Sequence, residues 1–235
     1  MTTDPGGGTD GRAADRSDEG RRRPQGWQFS RPAIAAREIT ARLFGPVFAW
    51  FLEGPAVTGA EHLAAVGPGT IICPTHASHL DSSALRLALG PRHRRRLAAA
   101  VAADYFTASR RRWFLAAWIG AAFPLDRSGH GGHDSLAVAE RLLADGWDIL
   151  LYPEGTRSVS GEIGRFHPGV GLLATRTVCP VLPARIVGIA SVLPKGARWP
   201  RRGPVEVRFG APMRALPGED ARAFTARLEG VIRAL

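Results

Sequence analysis

Apolar positions show no period over residues 1–28, which are dominated by Gly, Asp, Arg and Ser. A disordered basic tail is expected over 1–30. The pattern then changes. Pro32 suits the first turn of a helix, and 33–44 has good helical propensity. Pro46 is expected to kink or restart it. Leu43, Phe44, Val47, Phe48, Trp50, Phe51 and Leu52 make the segment 31–53 apolar almost all round. Such a helix either packs on a core or dips into a membrane, and the pattern leaves both open. From Thr58 short apolar runs alternate with helical periods. Strands are predicted at 70–73, 97–102, 121–125, 149–152, 181–187 and 205–209, and helices at 78–89, 108–118, 134–143, 170–178 and about 219–234. This alternation predicts an α/β fold over 54–235, a single domain with a mostly parallel central sheet flanked by helices. No internal repeat is visible.

Length and composition leave that picture unchanged. The 235 residues suit one α/β domain, and 45% hydrophobic with 22% charged residues is ordinary. Charge adds something. A net +10 and a pI near 11.2 point to a polyanionic partner, whether nucleic acid, an anionic membrane surface or phosphorylated substrates. Cys73 and Cys179, the only cysteines, lie far apart in apolar strand-like runs. Zinc motifs and a disulfide framework are therefore not expected, and a reducing cytoplasm fits. The longest uncharged runs, 43–52 and 113–125, contain or end on Gly and Pro and fall short of the roughly 20 apolar residues a bilayer span needs. The N-terminus lacks the pattern of a secretory signal, so the expected membrane contact is peripheral.

Three predicted strand ends carry groups with chemistry. After 70–73 comes Thr75-His76-Ala77-Ser78-His79-Leu80-Asp81. A carboxylate on one ring nitrogen of a histidine fixes the tautomer and leaves the other nitrogen to take a proton from a hydroxyl. Ser78-x-x-Asp81 also reads as a capping box, with Ser78 as N-cap. That reading accounts for Ser78 and Asp81 without catalysis but not for His76. After 149–152 comes Pro153-Glu154-Gly155-Thr156-Arg157-Ser158. Glycine permits a tight turn, Arg157 offers a fork suited to phosphate, and Glu154 can accept from a sugar or glycerol hydroxyl. The third stretch, Gly120 to Arg127, ends on Asp126-Arg127, which also reads as a surface ion pair. In α/β sheets, ligands bind at the carboxyl ends of strands.

These stretches resemble the PlsC-type glycerolipid acyltransferases, the 1-acylglycerol-3-phosphate acyltransferases and their relatives. The family's Asn-His-x-Ser-x-x-Asp is matched at His76, Ser78 and Asp81, with Thr75 for Asn. Its Gly, aromatic, Arg motif resembles Gly120, Phe123 and Arg127. Its Phe-Pro-Glu-Gly-Thr-Arg-Ser is repeated from Tyr152 to Ser158, with Tyr for Phe. Its strand ending on proline resembles 179–183. The resemblance implies the glycerol-3-phosphate acyltransferase-like fold, with His76 as general base and Asp81 as its partner. It implies that Ser78, Arg127, Glu154, Gly155, Thr156 and Arg157 serve the acceptor, and that Pro183 shapes the acyl-donor side. The co-substrate would be acyl-CoA or acyl carrier protein, attacked directly, with no cofactor and no metal. The acceptor would be a lysophospholipid, by default 1-acylglycerol-3-phosphate in phospholipid biosynthesis, with other lysolipids, glycolipids and aminolipids as alternatives. The expected location is the cytoplasmic side of the cell membrane. One departure bears on the head group. Many relatives carry lysines in a Phe-Lys-Lys-Gly pattern, where this chain reads Arg165-Phe166-His167-Pro168-Gly169.

Two other classes of function fit parts of the sequence. A metal-dependent hydrolase would use His76, His79 and Asp81, but metallo-β-lactamase-like sites follow His-x-His-x-Asp-His, and Ser78 stands where a histidine is required. His130 and His133 read better as loop residues. A nucleic-acid module fits the charge but shows no motif, and its arginines are not interleaved with aromatics, so nucleic acid is not an expected partner. The Arg110–Arg112 run before Trp113-Phe114-Leu115 reads either as an interfacial membrane pattern or as a solvated face.

Overall fold

The computed structural model describes residues 26–102, 109–125, 132–158, 162–194 and 197–235. A short 3-10 turn at Trp27–Phe29 leads into α1, Arg31–Phe51. The Ser30 hydroxyl caps α1 by accepting from the Ala33 N–H at 3.4 Å. The helix runs through Pro46 as one element of 21 residues rather than restarting there. The elements that follow are β1 (Ala56–Thr58), α2 (Ala60–Ala64), β2 (Ile71–Pro74), α3 (Asp81–Arg94), β3 (Leu97–Ala102), α4 (Arg110–Gly120) and β4 (Phe123–Leu125). The chain continues with α5 (Gly132–Ala144), β5 (Asp148–Leu150), α6 (Gly169–Thr177), β6 (Val181–Val187), α7 (Ile189–Val192), β7 (Glu206–Phe209) and α8 (Ala221–Ala234). The expected tail lies almost wholly outside the described residues.

The seven strands form one sheet in the order β1-β7-β6-β2-β5-β3-β4. Every pair is parallel except β6 with β7. The expected α/β architecture is therefore present. β2 sits at the centre between β5 and β6, and the three run the same way. The loops leaving β2, β5 and β6 thus emerge on one rim.

Burial of both sheet faces explains why the central strands are continuous apolar runs. Ile71 and Cys73 face a core with Ile149, Val181 and residues of α5, α6 and α8. Ile72 faces the other way, with Leu97, Leu150 and Leu182, against Ala84, Leu85 and Leu89 of α3. Phe224, Leu228 and Ile232, spaced by four, are the buried stripe of α8. The Asp220 carboxylate caps α8 by accepting from the N–H groups of Arg222 and Ala223 at 2.8 Å each.

Element boundaries and three short elements depart from the sequence reading. The helix expected from Ser78 begins at Asp81 and passes a non-helical Gly90 (φ 66°, ψ 178°) before ending at Arg94. β1, with all three residues exposed, and the short helices α2 and α7 were not expected, because each is too brief to show a period. Asp148 opens β5 although buried. Its Oδ1 accepts from the Thr70 N–H at 2.9 Å, and its Oδ2 pairs with His93 Nδ1 at 2.7 Å. That buried pair ties the far end of α3 to the sheet.

α6 and α8 touch where Gly171 has no side chain. A Cβ there would land on the Ala221 carbonyl oxygen and the Thr225 hydroxyl, whereas one at Gly230 would meet nothing. Gly171→Ala is expected to lower stability by about 3 kcal/mol by forcing the helices apart. Gly230→Ala should raise it by up to about 1 kcal/mol through helix propensity. Urea unfolding of the two variants measures both effects.

Candidate active site at the carboxyl rim of the sheet

The loop after β2 is pinned first by Thr75. Its hydroxyl accepts from the Ile186 N–H at 3.0 Å, and its N–H donates to the Ala184 carbonyl at 3.3 Å, both on β6. The chain then wraps around one oxygen atom. Asp81 Oδ2 takes the His76 ring at Nδ1 (2.7 Å) and the N–H groups of Ala77 and Ser78 (2.8 Å each). Asp81 is 1% exposed and is the first residue of α3, where the helix dipole favours negative charge. An oxygen that already accepts two backbone N–H bonds is an acceptor toward the ring as well, so Nδ1 carries the proton. Nε2 makes no hydrogen bond among the described residues.

The expected capping box with Ser78 as N-cap does not form, because the N-cap position of α3 is Leu80 and no side chain caps the helix. Asp81 reaches back to the Ser78 N–H, but the Ser78 hydroxyl does not return the bond. It accepts from the Leu80 N–H at 3.3 Å and donates to the Leu193 carbonyl at 3.0 Å. Ser78 is buried and ties the loop to the end of α7.

The loop after β5 grips His76. The Glu154 carboxylate accepts from the His76 N–H at 2.7 Å and from the Gly164 N–H at 2.8 Å. The His76 carbonyl accepts from the Ser158 N–H at 2.8 Å. Glu154, read from sequence as a partner for a substrate hydroxyl, is 5% exposed and has each oxygen engaged by backbone. Its position makes it a brace for His76. Gly155 takes φ +68°, the turn conformation that favours glycine, and its N–H donates to the Tyr152 carbonyl at 3.1 Å. Thr156 is exposed and Arg157 half-buried at the rim. Partial burial, then the positive charge of Arg157 and the neighbouring His76, holds the His79 imidazole below its ordinary pKa.

Tyr152 was not singled out as a site residue, yet its ring stacks on His76 with centroids 4.0 Å apart and planes at 21°. Its hydroxyl shares a 2.7 Å hydrogen bond with Ser82 of α3. Burial, helped by Asp81, pushes the phenol well above its ordinary pKa, so it stays neutral. A cleft of about 120 Å³ opens beside His76, lined by Thr75, Glu154, Ser158, Arg185 and Gly188 among others. Arg185 was also missed. An arginine inside the apolar run of β6 was the available signal.

The remaining expected residues fall elsewhere. Pro183 is buried within β6, in register with Cys73, and its carbonyl accepts from the Gly210 N–H at 2.9 Å. It does not line the cleft. Phe123 is fully buried in the core. Asp126, Arg127, His130 and the side chain of His133 lie outside the described residues. Among the described residues no three His, Cys, Asp or Glu side chains gather as metal ligands. Cys73 is fully buried, which pushes its thiol far above the usual range.

The brace is testable. Glu154→Gln leaves one good acceptor for two N–H groups. It is expected to destabilise the protein by about 2 kcal/mol and to speed amide hydrogen exchange at His76 and Gly164. Denaturant titration and exchange measurements read the two effects.

Comparison with known proteins agrees with this geometry. The chain matches 34% of positions over 64 residues of a chloroplastic 1-acyl-sn-glycerol-3-phosphate acyltransferase of Brassica napus, 27% of this chain and 19% of that protein. It is 33% identical over 70 residues to a probable 1-acyl-sn-glycerol-3-phosphate acyltransferase of Mycoplasma genitalium, covering 30% of this chain and 26% of the relative. These matches thus span only about a fifth to a quarter of the relatives' own length. The fold is similar to the crystal structure of the 1-acyl-sn-glycerophosphate acyltransferase PlsC from Thermotoga maritima, with a TM-score of 0.64 and 23% identity over 88% of this chain and 83% of that one. The model of the acyltransferase family matches residues 54–187, more than half of the sequence, and holds the His76 and Glu154 loops together. The chain belongs to the PlsC-type acyltransferase family.

Proposed function

We propose that the protein transfers a fatty acyl group from a thioester, acyl-CoA or acyl carrier protein, to a hydroxyl of a lysophospholipid, with 1-acylglycerol-3-phosphate the first choice. The observation that carries the reading is the His76–Asp81 pair at 2.7 Å, beside a cleft. In this mechanism His76 Nε2 takes the proton of the acceptor hydroxyl as its oxygen attacks the thioester carbonyl. Asp81 stabilises the imidazolium that forms. Collapse of the tetrahedral intermediate breaks the C–S bond, and the imidazolium returns its proton to the departing thiolate. Arg157, with Arg127, would take the acceptor phosphate, and Gly155 and Thr156 would border it. Glu154 and Ser78 would act by holding His76 and its loop.

A second acceptor class, another lysolipid, glycolipid or aminolipid, is favoured by one feature. His167 and Pro168 stand after Phe166, where many relatives carry lysines. Phe166 itself is buried, and the His167 N–H donates to the Pro153 carbonyl at 2.8 Å, so this segment borders the Glu154 loop.

The same reading places the enzyme on the cytoplasmic, anionic face of a membrane. Leu43, Phe44, Val47 and Trp50 of α1 and Phe114, Leu115 and Ile119 of α4 are exposed. The two helices touch, and Phe44 and Ile119 border one groove between them. No helix among the described residues is long and apolar enough to cross a membrane.

His76→Ala is expected to remove transfer by several orders of magnitude while the protein stays folded. Near-normal turnover in the folded variant would defeat the mechanism. Arg157→Ala should chiefly raise KM for a phosphate-bearing acceptor. A donor-by-acceptor screen read by lipid mass spectrometry, with kcat and KM for both variants, makes the test.

A further inference from the structure

A second groove, of about 100 Å³, lies between α1, α3 and α4 and shares no lining residue with the cleft at His76. Its two ends differ in character. At one end stand Arg37, Arg86, Arg94 and Arg95 with a single carboxylate, Glu38. Further along α1 the walls are Phe44 and Phe48, with Leu87 beside Gly45, and Trp118 and Ile119 of α4 also line the groove.

Glu38 is already engaged. Arg94 donates to both of its oxygens at 3.0 Å, and Arg95 stands 3.7 Å away. Arg86 donates only to backbone, to the carbonyls of Arg94 (3.4 Å) and Leu97 (3.2 Å). Arg37 is 7% exposed, and neither of its Nη atoms has a hydrogen-bond partner among the described residues. Burial brings both Arg37 and Arg86 down to about 10, so both remain charged at neutral pH. Four guanidiniums against one carboxylate leave the polar end of the groove strongly cationic. A buried, unpaired guanidinium is destabilising unless something pairs with it.

We propose that this groove binds a single-chain lipid with a phosphomonoester head, its phosphate held by Arg37 beside Arg86 and its chain lying along Phe44 and Phe48. A dianionic phosphate suits the excess of positive charge better than a carboxylate, and the planar fork of arginine matches phosphate oxygens. Arg37, Ala41, Phe44 and Phe48 follow helical spacing on one face of α1. They span about 16 Å along its axis, on the order of the length of a fatty chain. The Nη atoms are closed off from solvent in this structure, so binding includes a turn of the Arg37 side chain toward the ligand. Gly45 borders the apolar part. A Cβ there would meet only Leu87 Cδ2 at 3.9 Å, so a larger residue fills the groove without striking backbone.

The probe is dodecyl phosphate, titrated below its micelle-forming concentration and followed by calorimetry and tryptophan fluorescence. It has no acceptor hydroxyl, so its binding does not depend on acyl transfer. A protein that bound it but transferred nothing would sink the proposed function and leave this inference standing. Arg157→Ala is expected to keep the binding phase that belongs to the groove and to lose only the probe held at the His76 cleft. Arg37→Met should bind at least tenfold more weakly while melting no lower than wild type, since it removes an unpaired buried charge. Gly45→Leu should also weaken binding, and inorganic phosphate and dodecylphosphocholine should bind at least tenfold more weakly than the probe. Undiminished binding by Arg37→Met overturns the proposal, as does a loss confined to Arg157→Ala, which would put the phosphate at the His76 cleft. Equal binding of dodecylphosphocholine overturns the choice of head group. Should Arg37→Met fail to fold, Gly45→Leu decides, and normal binding by it counts against the groove.

Discussion

One oxygen atom organises the rim of this sheet. Asp81 Oδ2 accepts from the His76 ring and from two successive backbone N–H groups, and the loop from Thr75 to Leu80 takes its shape around it. The carboxylate sits where α3 begins, so the helix dipole and the backbone donors both favour its charge. The other end of α3 is held by a second buried His–Asp contact, His93 with Asp148, which also binds the Thr70 N–H before β2. α3 is thus anchored to the sheet at both ends, and Asp81 cannot shift without disturbing one of them. No side chain caps α3, whose N-cap position is Leu80. The bonds from the Ala77 and Ser78 N–H groups shape the preceding loop and aim the carboxylate at the ring.

What the sequence revealed follows from what its patterns encode. β2, β5 and β6 were legible because a strand buried on both faces leaves an unbroken apolar run. β1 was not, since three exposed edge residues carry no pattern. The reversal of β7 was not legible either, because alternation says nothing about strand direction. At the site, His76 and Asp81 could be paired from local spacing alone. Glu154 could not be read correctly, because its partners, His76 and Gly164, are 78 and 10 residues away and offer only backbone N–H groups. Tyr152 was noticed as a variation on phenylalanine. That its ring covers His76 while its hydroxyl reaches Ser82 becomes visible only when β5 lies beside β2.

The net positive charge divides into two populations once the fold is known. Part of it is structural. Arg94 clamps Glu38, Arg227 clamps Glu219, and Arg233 joins Glu229 to the carbonyls of Ile163 and Gly164. The last of these matters to the site, because the Gly164 N–H is held by Glu154. The other part has no such partner. Arg157 at the rim makes no salt bridge among the described residues, and neither Nη atom of Arg37 has a hydrogen-bond partner among them. Unpaired cations near a cleft and within an apolar groove are what a lipid phosphate would complement, whereas nucleic-acid binding would call for a continuous exposed basic face.

The ring of His76 is constrained on several independent sides, and this gives the site its chemical direction. Asp81 holds Nδ1, Tyr152 covers one face, Glu154 takes the backbone N–H and Ser158 donates to the backbone carbonyl. These contacts come from the loops after two adjacent parallel strands, so the orientation of the ring is set by the sheet rather than by its own loop. With Nδ1 occupied and the backbone fixed, Nε2 is the remaining polar atom of the residue. Holding a base this way removes orientational freedom before substrate arrives, which is where much of the advantage of a positioned general base lies. Tyrosine in place of the family's phenylalanine extends the constraint by one bond, coupling the stacked ring to Ser82 on the same helix that carries Asp81. The face and the edge of the imidazole are thereby referred to a single rigid element, α3, and that coupling explains why the two loops must be read together before either can be assigned a role.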